Sequence, residues 1–353
     1  MRVACARILG PQLCPGSAAA QRLWHGGAAL GRRQPSAAAR PSYSQQHPQQ
    51  RRRSLGTVAM ASADGAPGDA PSKVKIALCQ LSVTADKPAN IAAAAAAVGA
   101  AAAAGAGLVV LPEMWNCPYS NDSFPSYAED FSEAPSGGAP SYLALSAAAA
   151  AAGVTVVGGS VPEREGGQLF NTCCVFGPDG QLLAKHRKVH LFDIDIPGKM
   201  TFKESLTLSP GGGPTVVDTP AGRLGVGICY DIRFPELAMV CAKRGAQLIV
   251  YPGAFNMVTG PVHWELLAKA RAVDNQLFVA TCSPARSPEA SYQAWGHSTV
   301  VGPFAEVLAT CEHEPATVFA DIDYGQIAER RANMPLTQQR RSDLYELVDK
   351  TAA

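Results

Sequence analysis

The chain has 353 residues, 47% of them hydrophobic, enough to bury a sizeable core in one large domain or two small ones. Its net charge of +1 hides an asymmetry: residues 1–63 hold nine arginines and no acidic group, which leaves 21 basic against 29 acidic residues, a formal −8, in the rest. A mildly acidic body argues against nucleic-acid binding, which relies on a basic surface, and no undiluted apolar run of about 18 residues is present to span a membrane.

The basic leader is also rich in Ala, Ser, Gln and Pro and lacks strong apolar periodicity, the composition of an organellar transit peptide. A disordered tail kept in the mature protein is the alternative. We therefore set residues 1–72 apart as transit peptide and leader, assign 73–345 to one domain and leave 346–353 as a C-terminal tail. The Ser, Ala and Pro content, with Val58-Ala59-Met60-Ala61 as a processing stretch, favours the chloroplast over the mitochondrion or cytoplasm.

Within the domain, apolar strand-like and helix-like segments alternate. Val74 to Gln80 reads as a strand, Pro88 to Ala104 as an alanine-rich helix and Leu108 to Leu111 as a buried strand; a helix from Ser141 to Ala152 then feeds a strand from Val154 to Ser160. Leu169 to Phe176, Leu182 to His190 and Thr215 to Thr219 read as antiparallel strands, the first two joined by the turn signal Pro178-Asp179-Gly180. The alternation restarts with a strand from Arg223 to Cys229, a helix from Pro235 to Arg244, a strand from Gln247 to Tyr251, a helix from Pro261 to Asn275 and a strand from Leu277 to Ser283. Short strands around Ser298 to Val301 and Val318 to Asp323 close the series, giving a layered α/β domain with no internal linker.

Ten cysteines are present, Cys5 and Cys14 in the leader and eight scattered from Cys79 to Cys311 without a C-x-x-C pair. Several fall in apolar runs, where free cysteine behaves as a small hydrophobe, a pattern that favours a reducing compartment over a disulfide framework.

One cysteine differs from the rest. Cys229 follows the glycine-rich apolar run Gly225-Val226-Gly227-Ile228 and precedes Tyr230-Asp231 and a helix opening at Pro235, a strand-to-helix turn expected to expose its sulfur beside backbone N–H groups. A free thiol has a pKa near about 8.5 and needs a base during attack. Glu113, closing the apolar run Leu108-Val109-Val110-Leu111-Pro112, is a suitable base if burial raises its pKa, and Lys188, in Lys185-His186-Arg187-Lys188-Val189-His190, is a cation able to stand beside an oxyanion. Taken singly, each has a plainer reading: a helix-start acid, a solvated strand-end charge, a core cysteine.

Together the three segments resemble the nitrilase superfamily of carbon-nitrogen hydrolases, whose Glu, Lys and Cys motifs occur in this order, and the likeness spans roughly residues 73–345. It implies a four-layer α-β-β-α sandwich that usually dimerises, with Cys229 as nucleophile, Glu113 as general base and Lys188 as stabiliser of the tetrahedral intermediate. Glu204, in Thr201-Phe202-Lys203-Glu204-Ser205, matches the family's second glutamate and would orient Lys188 or the substrate; the backbone N–H of Tyr230 would join Lys188 at the oxyanion. Asn116-Cys117-Pro118-Tyr119, His190-Leu191-Phe192-Asp193-Ile194-Asp195-Ile196-Pro197, Tyr251-Pro252-Gly253-Ala254-Phe255-Asn256 and Gly260-Pro261-Val262-His263-Trp264-Glu265 resemble the omega-amidase branch. That likeness implies hydrolysis of the terminal amide of a short 2-oxo dicarboxylate monoamide, such as 2-oxoglutaramate or 2-oxosuccinamate, through a cysteine thioester and without a cofactor. Within the enzyme class a deaminated-glutathione amidase, a true nitrilase and an N-carbamoyl hydrolase are the closest competitors, and a non-catalytic scaffold is the reading from another class.

The substrate's distal carboxylate needs a donor. Arg233 and Tyr119 are the candidates, although Arg233 has Asp231 and Glu236 as alternative, structural partners. In the family, a segment like Arg330 to Tyr345 reaches toward a partner subunit, so a homodimer is expected. A metal site built on His186 and His190, with His263 and His297 downstream, is disfavoured because the segment reads as strand and lacks the H-E-x-x-H glutamate. The glycines at 211–213 and 222–227 do not follow the strand, G-x-G-x-x-G, helix order of a nucleotide site.

Overall fold

Along the first strand, β1 (Lys73–Gln80), Ile76 and Leu78 join one buried cluster while Ala77 and Cys79 join another, the two-residue period of a strand covered on both faces. The computed structural model describes residues 72–351, so the expectations for the leader and its processing stretch fall outside the described residues.

After β1 come β2 (Leu108–Val110), β3 (Thr155–Val157), β4 (Val161–Glu165), β5 (Gln168–Phe176) and β6 (Leu182–Arg187), then a separate hairpin of β7 (Asp193–Ile196) and β8 (Met200–Lys203). Strands β9 (Thr215–Thr219), β10 (Gly222–Val226), β11 (Leu248–Pro252), β12 (Phe278–Cys282), β13 (Thr299–Val301), β14 (Val307–Thr310) and β15 (Ala316–Asp323) follow. The helices are α1 (Lys87–Ala103), α2 (Phe124–Tyr127), α3 (Pro140–Ala152), α4 (Pro235–Lys243), α5 (Gly260–Asn275) and α6 (Gly325–Asn333).

Two sheets result. In the first, β15 lies antiparallel to β1, β2 and β3 continue in parallel, and β5 pairs antiparallel with β3, β4 and β6. The second runs β14-β13-β12-β11-β10-β9, with β10, β11 and β12 parallel. Ile76, Leu78, Leu108 and Val110 of the first sheet meet Leu224, Val226, Leu248 and Val250 of the second in one core. Ala94, Val98 and Ala101 of α1, with Leu145 and Ala149 of α3, cover the outer face of the first sheet, while Ala238 and Cys241 of α4 and Trp264, Ala268 and Ala272 of α5 pack on the second. The expected α-β-β-α sandwich is what the chain forms. Each fully buried Leu, Ile or Val of that core stabilises it by roughly 1.5–3 kcal/mol.

Local chemistry explains the helix ends. Asp86 accepts the Ala89 N–H at 3.0 Å and caps α1, whose alanines carry the highest helix propensity. α3 has no side-chain cap of its own; the buried Glu129 carboxylate takes the N–H groups of Ser141 and Tyr142 instead. All eight described cysteines are free thiols. No helix among the described residues is long and apolar enough to cross a membrane.

Several sequence expectations need correction. The strand expected over Val154 to Ser160 breaks after Val157, because residues 158–160 turn against the loop that follows β2, and the chain resumes as β4. Thr215 to Thr219 does not extend the β5–β6 ladder but pairs with β10 in the second sheet. The strands expected to reach Cys229 and His190 end at Val226 and Arg187, leaving Cys229, Lys188 and His190 just beyond them. The β7–β8 hairpin, β14 and α6 had no place in the sequence reading. The tail's described residues, 346–351, fold back on α4, where Arg244 pairs with Asp349 at 2.6 Å and donates to Thr351 Oγ1 at 2.7 Å.

Candidate active site

Three chain segments leave the carboxyl ends of β2, β6 and β10 and converge, two from the first sheet and one from the second. Past β2, the Ser160 N–H donates to Pro112 O at 3.0 Å, Ser160 Oγ accepts the Met114 N–H at 3.1 Å, and Trp115 Nε1 donates to Gly158 O at 2.7 Å. These bonds lock the loop around Glu113. Only glycine fits at position 159: its φ is +62°, and a Cβ there would lie 2.1 Å from Pro112 O.

Past β10, Cys229 begins a 3-10 turn, Cys229–Arg233, with φ +47°, a conformation that costs a non-glycine residue of order 1–3 kcal/mol. Contrary to the exposure expected from the sequence, the residue is buried: Cys229 is only 4% accessible. A Cβ at Gly253 would approach Cys229 Cα to 3.2 Å, so the strand end beyond β11 closes directly over the turn. As in the first turn of any helix, the Tyr230 N–H has no acceptor among the described residues.

The side chains form one buried cluster. Lys188 Nζ donates to Glu113 Oε1 and to Glu204 Oε1, both at 2.9 Å, and all three side chains are fully buried. Glu113 also accepts from Asn171 Nδ2 and the Ala254 N–H, each at 2.8 Å, and its charge acts on the buried Cys229 thiol beside it. Glu204, in the turn after β8, accepts the Phe192 N–H at 2.7 Å and the Tyr119 hydroxyl at 2.6 Å.

Two carboxylates share one ammonium here, and the electrostatics follow. Burial pushes the Glu113 carboxyl up, Lys188 pulls it down, and Glu204 pushes it up again; the net direction is upward. Burial works against the Lys188 charge, but Glu113 and Glu204 outweigh it and hold the ammonium firmly protonated. Burial, followed by the Glu113 charge, lifts the Cys229 thiol well above its ordinary value. The resting site therefore holds a neutral thiol beside a carboxylate of raised basicity and a fixed cation.

Of the residues named from sequence, Glu113, Lys188, Cys229 and Glu204 come together. Tyr119 is at the site, but its proton is committed to Glu204, and its ring stacks on Tyr292 with centroids 4.5 Å apart. Arg233 pairs with neither Asp231 nor Glu236: its Nη1 meets His263 Nδ1 at 3.2 Å, its guanidinium lies over the Phe255 ring at 4.6 Å, and its Nε is buried without an acceptor. Asn171, Ala254 and Tyr292 were not anticipated. A lone Asn in the apolar run Leu169 to Phe176 was the one available signal for Asn171. A cavity of about 360 Å³ opens onto the cluster, walled by Glu113, Tyr119, Ala254 and Tyr292.

The histidines considered as metal ligands lie elsewhere. His186 and His190 both reach the Asp231 carboxylate, at 3.3 and 2.8 Å. His297 approaches Glu312 and His313 in a partly exposed group whose ligand atoms lie within 4.8 Å of one another, joining none of Glu113, Lys188 or Cys229.

Comparison with known proteins adds an independent line. A family model described as carbon-nitrogen hydrolase matches residues 75–332. The chain is 61% identical over 283 residues to a protein of Arabidopsis thaliana named "Omega-amidase, chloroplastic", covering 80% of this chain and 76% of that one. It is 54% identical over 271 residues to the human protein named "Omega-amidase NIT2", covering 77% of this chain and 96% of the relative. Among solved structures, Saccharomyces cerevisiae Nit3, a member of branch 10 of the nitrilase superfamily, superposes with a TM-score of 0.69 at 44% identity over 76% of this chain and 97% of that one.

Proposed function

This chain belongs to the carbon-nitrogen hydrolase family, and on that premise we propose that it is an omega-amidase, hydrolysing the terminal amide of 2-oxoglutaramate or 2-oxosuccinamate to the 2-oxo dicarboxylate and ammonia. The observation that carries the reading is the buried cluster of one thiol, two carboxylates and one ammonium in a chain 61% identical to a protein named for that activity.

Glu113 takes the Cys229 proton as sulfur attacks the amide carbon, and the carbonyl π electrons move onto oxygen. Of the three Lys188 protons, two are held by Glu113 and Glu204, leaving one to meet the oxyanion together with the Tyr230 N–H. Protonated Glu113 gives its proton to the nitrogen, the C–N bond breaks, and ammonia leaves a thioester on Cys229. Glu113 then takes a proton from water; the hydroxide attacks, the C–S bond breaks, and the proton returns to sulfur.

Arg233 would receive the distal carboxylate. Its support is a half-buried guanidinium, four residues past Cys229, that has no carboxylate partner among the described residues. Arg233→Ala should raise KM for 2-oxoglutaramate far more than for a neutral amide of similar length; equal effects would assign the residue to packing.

The reading includes a homodimer, supported by an exposed apolar stripe on α5, where Val262, Leu266 and Val273 share one helical face. Light scattering of the purified protein tests it, and a monomer mass would remove it. It also includes chloroplast import, supported by the leader composition and the relative named chloroplastic; residues 1–72 fused to a fluorescent protein in leaf protoplasts should reach chloroplasts, and a mitochondrial or diffuse signal would overturn that.

Activity is tested by ammonia release from 2-oxoglutaramate, with deaminated glutathione and an aliphatic nitrile in parallel. Turnover of the first, lost in Cys229→Ala, is the expected result; turnover of another substrate alone would reassign the pocket.

A further inference from the structure

Asp231 lies two residues past the proposed nucleophile and is fully buried, yet it touches none of Glu113, Lys188 or Glu204. Its two oxygens are instead surrounded by donors from two segments. Oδ1 accepts the His190 N–H at 2.9 Å and faces His190 Nδ1 at 2.8 Å; Oδ2 accepts the Ile228 N–H at 2.9 Å, faces His186 Nε2 at 3.3 Å and lies 3.5 Å from the Val189 nitrogen. His186, Val189 and His190 flank Lys188, while Ile228 and Asp231 flank Cys229. One carboxylate thus joins the backbone around the ammonium to the backbone around the sulfur.

Other bonds do not make this link. The Lys188 N–H donates to Asn171 O and Lys188 O accepts from the Gly211 N–H, each at 2.8 Å, which fixes Lys188 to β5 and the loop before β9 rather than to the Cys229 turn. Among the described residues, Asp231 is the hydrogen-bonding acceptor that connects residues 186–190 to residues 228–231. The assembly is stiff at both ends. The Asp231 N–H closes its own turn on Ile228 O at 3.0 Å, His186 Nδ1 meets Thr215 Oγ1 of β9 at 3.0 Å, and the His190 ring stacks on Phe234 with centroids 3.6 Å apart.

We propose that Asp231 is a positioning residue of the reaction, setting where the Lys188 ammonium stands relative to the oxyanion formed on the Cys229 adduct. The inference rests on the roles given above to Cys229 and Lys188. Its physical basis is the steep dependence of rate on alignment: a displacement of about 1 Å costs about 10²-fold. Glu113 is held by Asn171, Lys188 and the Ala254 N–H, and the cavity wall by Tyr119 and Tyr292, none of them hydrogen-bonded to Asp231, so the base and that wall keep their places when this carboxylate is changed.

The test compares Asp231→Asn with His190→Asn in the full chain. The first places an amide NH₂ against a buried donor; the second removes one arm of the tie at a partly exposed ring. We expect kcat on 2-oxoglutaramate to fall about 10²-fold and about 10-fold respectively, with KM within about 3-fold of the wild type. Alkylation of Cys229 by iodoacetamide should stay within about 3-fold, because displacement at a saturated carbon builds no oxyanion. Each kcat is expressed per alkylatable Cys229, so loss of folded protein is removed from the comparison. Unchanged kcat in folded His190→Asn, or alkylation falling in step with kcat in either variant, would overturn the proposal. If the wild type prefers another amide, the same comparison is made on that amide, which separates failure of the substrate reading from failure of this one.

Discussion

Arg187 and Lys188 are adjacent in the chain but enter two ion networks with different charge balances. Arg187 and Lys185 bind two carboxylates: the buried Glu163, which accepts from Lys185 Nζ at 2.6 Å, Arg187 Nε at 2.7 Å, Arg187 Nη2 at 2.8 Å and Thr172 Oγ1 at 2.6 Å, and the exposed Glu165, which pairs with Arg187 at 2.7 Å and Lys185 at 3.2 Å. Burial raises the Glu163 carboxyl, but the bonds from Arg187, Lys185 and Thr172 win, and its pKa falls. At Lys188 one cation serves two carboxylates, both buried, and the Glu113 pKa rises. Both glutamates, Glu163 and Glu113, are inaccessible to solvent, so burial alone does not decide the direction; Glu163 has two cations and a hydroxyl bonded to it, whereas Glu113 shares its one cation with a second buried carboxylate. The first network fastens three strands. The second leaves a base with unspent basicity.

The comparison can be broken most severely at the sulfur. Cys229→Ala should cut ammonia release by at least about 10⁴-fold while the thermal midpoint stays within a few degrees, since a small buried side chain is removed. Near-wild-type turnover would take Cys229 out of the mechanism.

Lys188→Ala and Arg187→Ala then set the two networks side by side. Removing Lys188 leaves Glu113 and Glu204 facing each other without a cation, and chemical denaturation should show a loss of about 3–5 kcal/mol together with loss of turnover. Removing Arg187 leaves Lys185 and Thr172 on Glu163, so about 2 kcal/mol is expected, with kcat within about 2-fold. Equal stability losses would dissolve the distinction.

Glu204→Gln sharpens it. Glu204 helps to raise the Glu113 pKa, so its neutralisation lowers that pKa, the base stays ionised to lower pH, and the acid limb of the kcat/KM profile moves down. An upward move would contradict the shared-cation account.

The smallest effect lies in pH-dependent stability. Glu163 has a folded pKa below its unfolded value of about 4.3, so its stabilisation is fully present above that value and lost as pH falls through the folded one. The wild-type melting temperature should therefore drop more steeply below about pH 4 than that of Glu163→Gln, and parallel curves would show the network to be inert.

Much of this molecule was legible residue by residue. The α1 and α3 alanine tracts, the Pro178-Asp179-Gly180 turn and the buried apolar strands announced themselves through propensity and pattern, which act within a few residues. Glu113, Lys188 and Cys229 stood out because each sits in a distinctive segment just past an apolar run. The β7–β8 hairpin escaped notice because its alternating residues stay partly or fully exposed and leave no continuous apolar run. Asp231 was visible only as a possible partner for Arg233, whereas the fold gives it to His186 and His190.

The sequence by itself determined the α/β layering, the chemical types at the site and their order along the chain, because strand period, helix propensity and side-chain chemistry are local properties. Only the tertiary structure decided that Ala254 donates to Glu113 across 141 residues and Asn171 across 58, that Tyr119 serves Glu204, and that one Asp231 carboxylate ties the Lys188 and Cys229 segments together. The physical reason is that a shifted pKa or an aligned donor depends on distances between groups that meet only when two separate sheets pack face to face, and no local property of the chain encodes those distances.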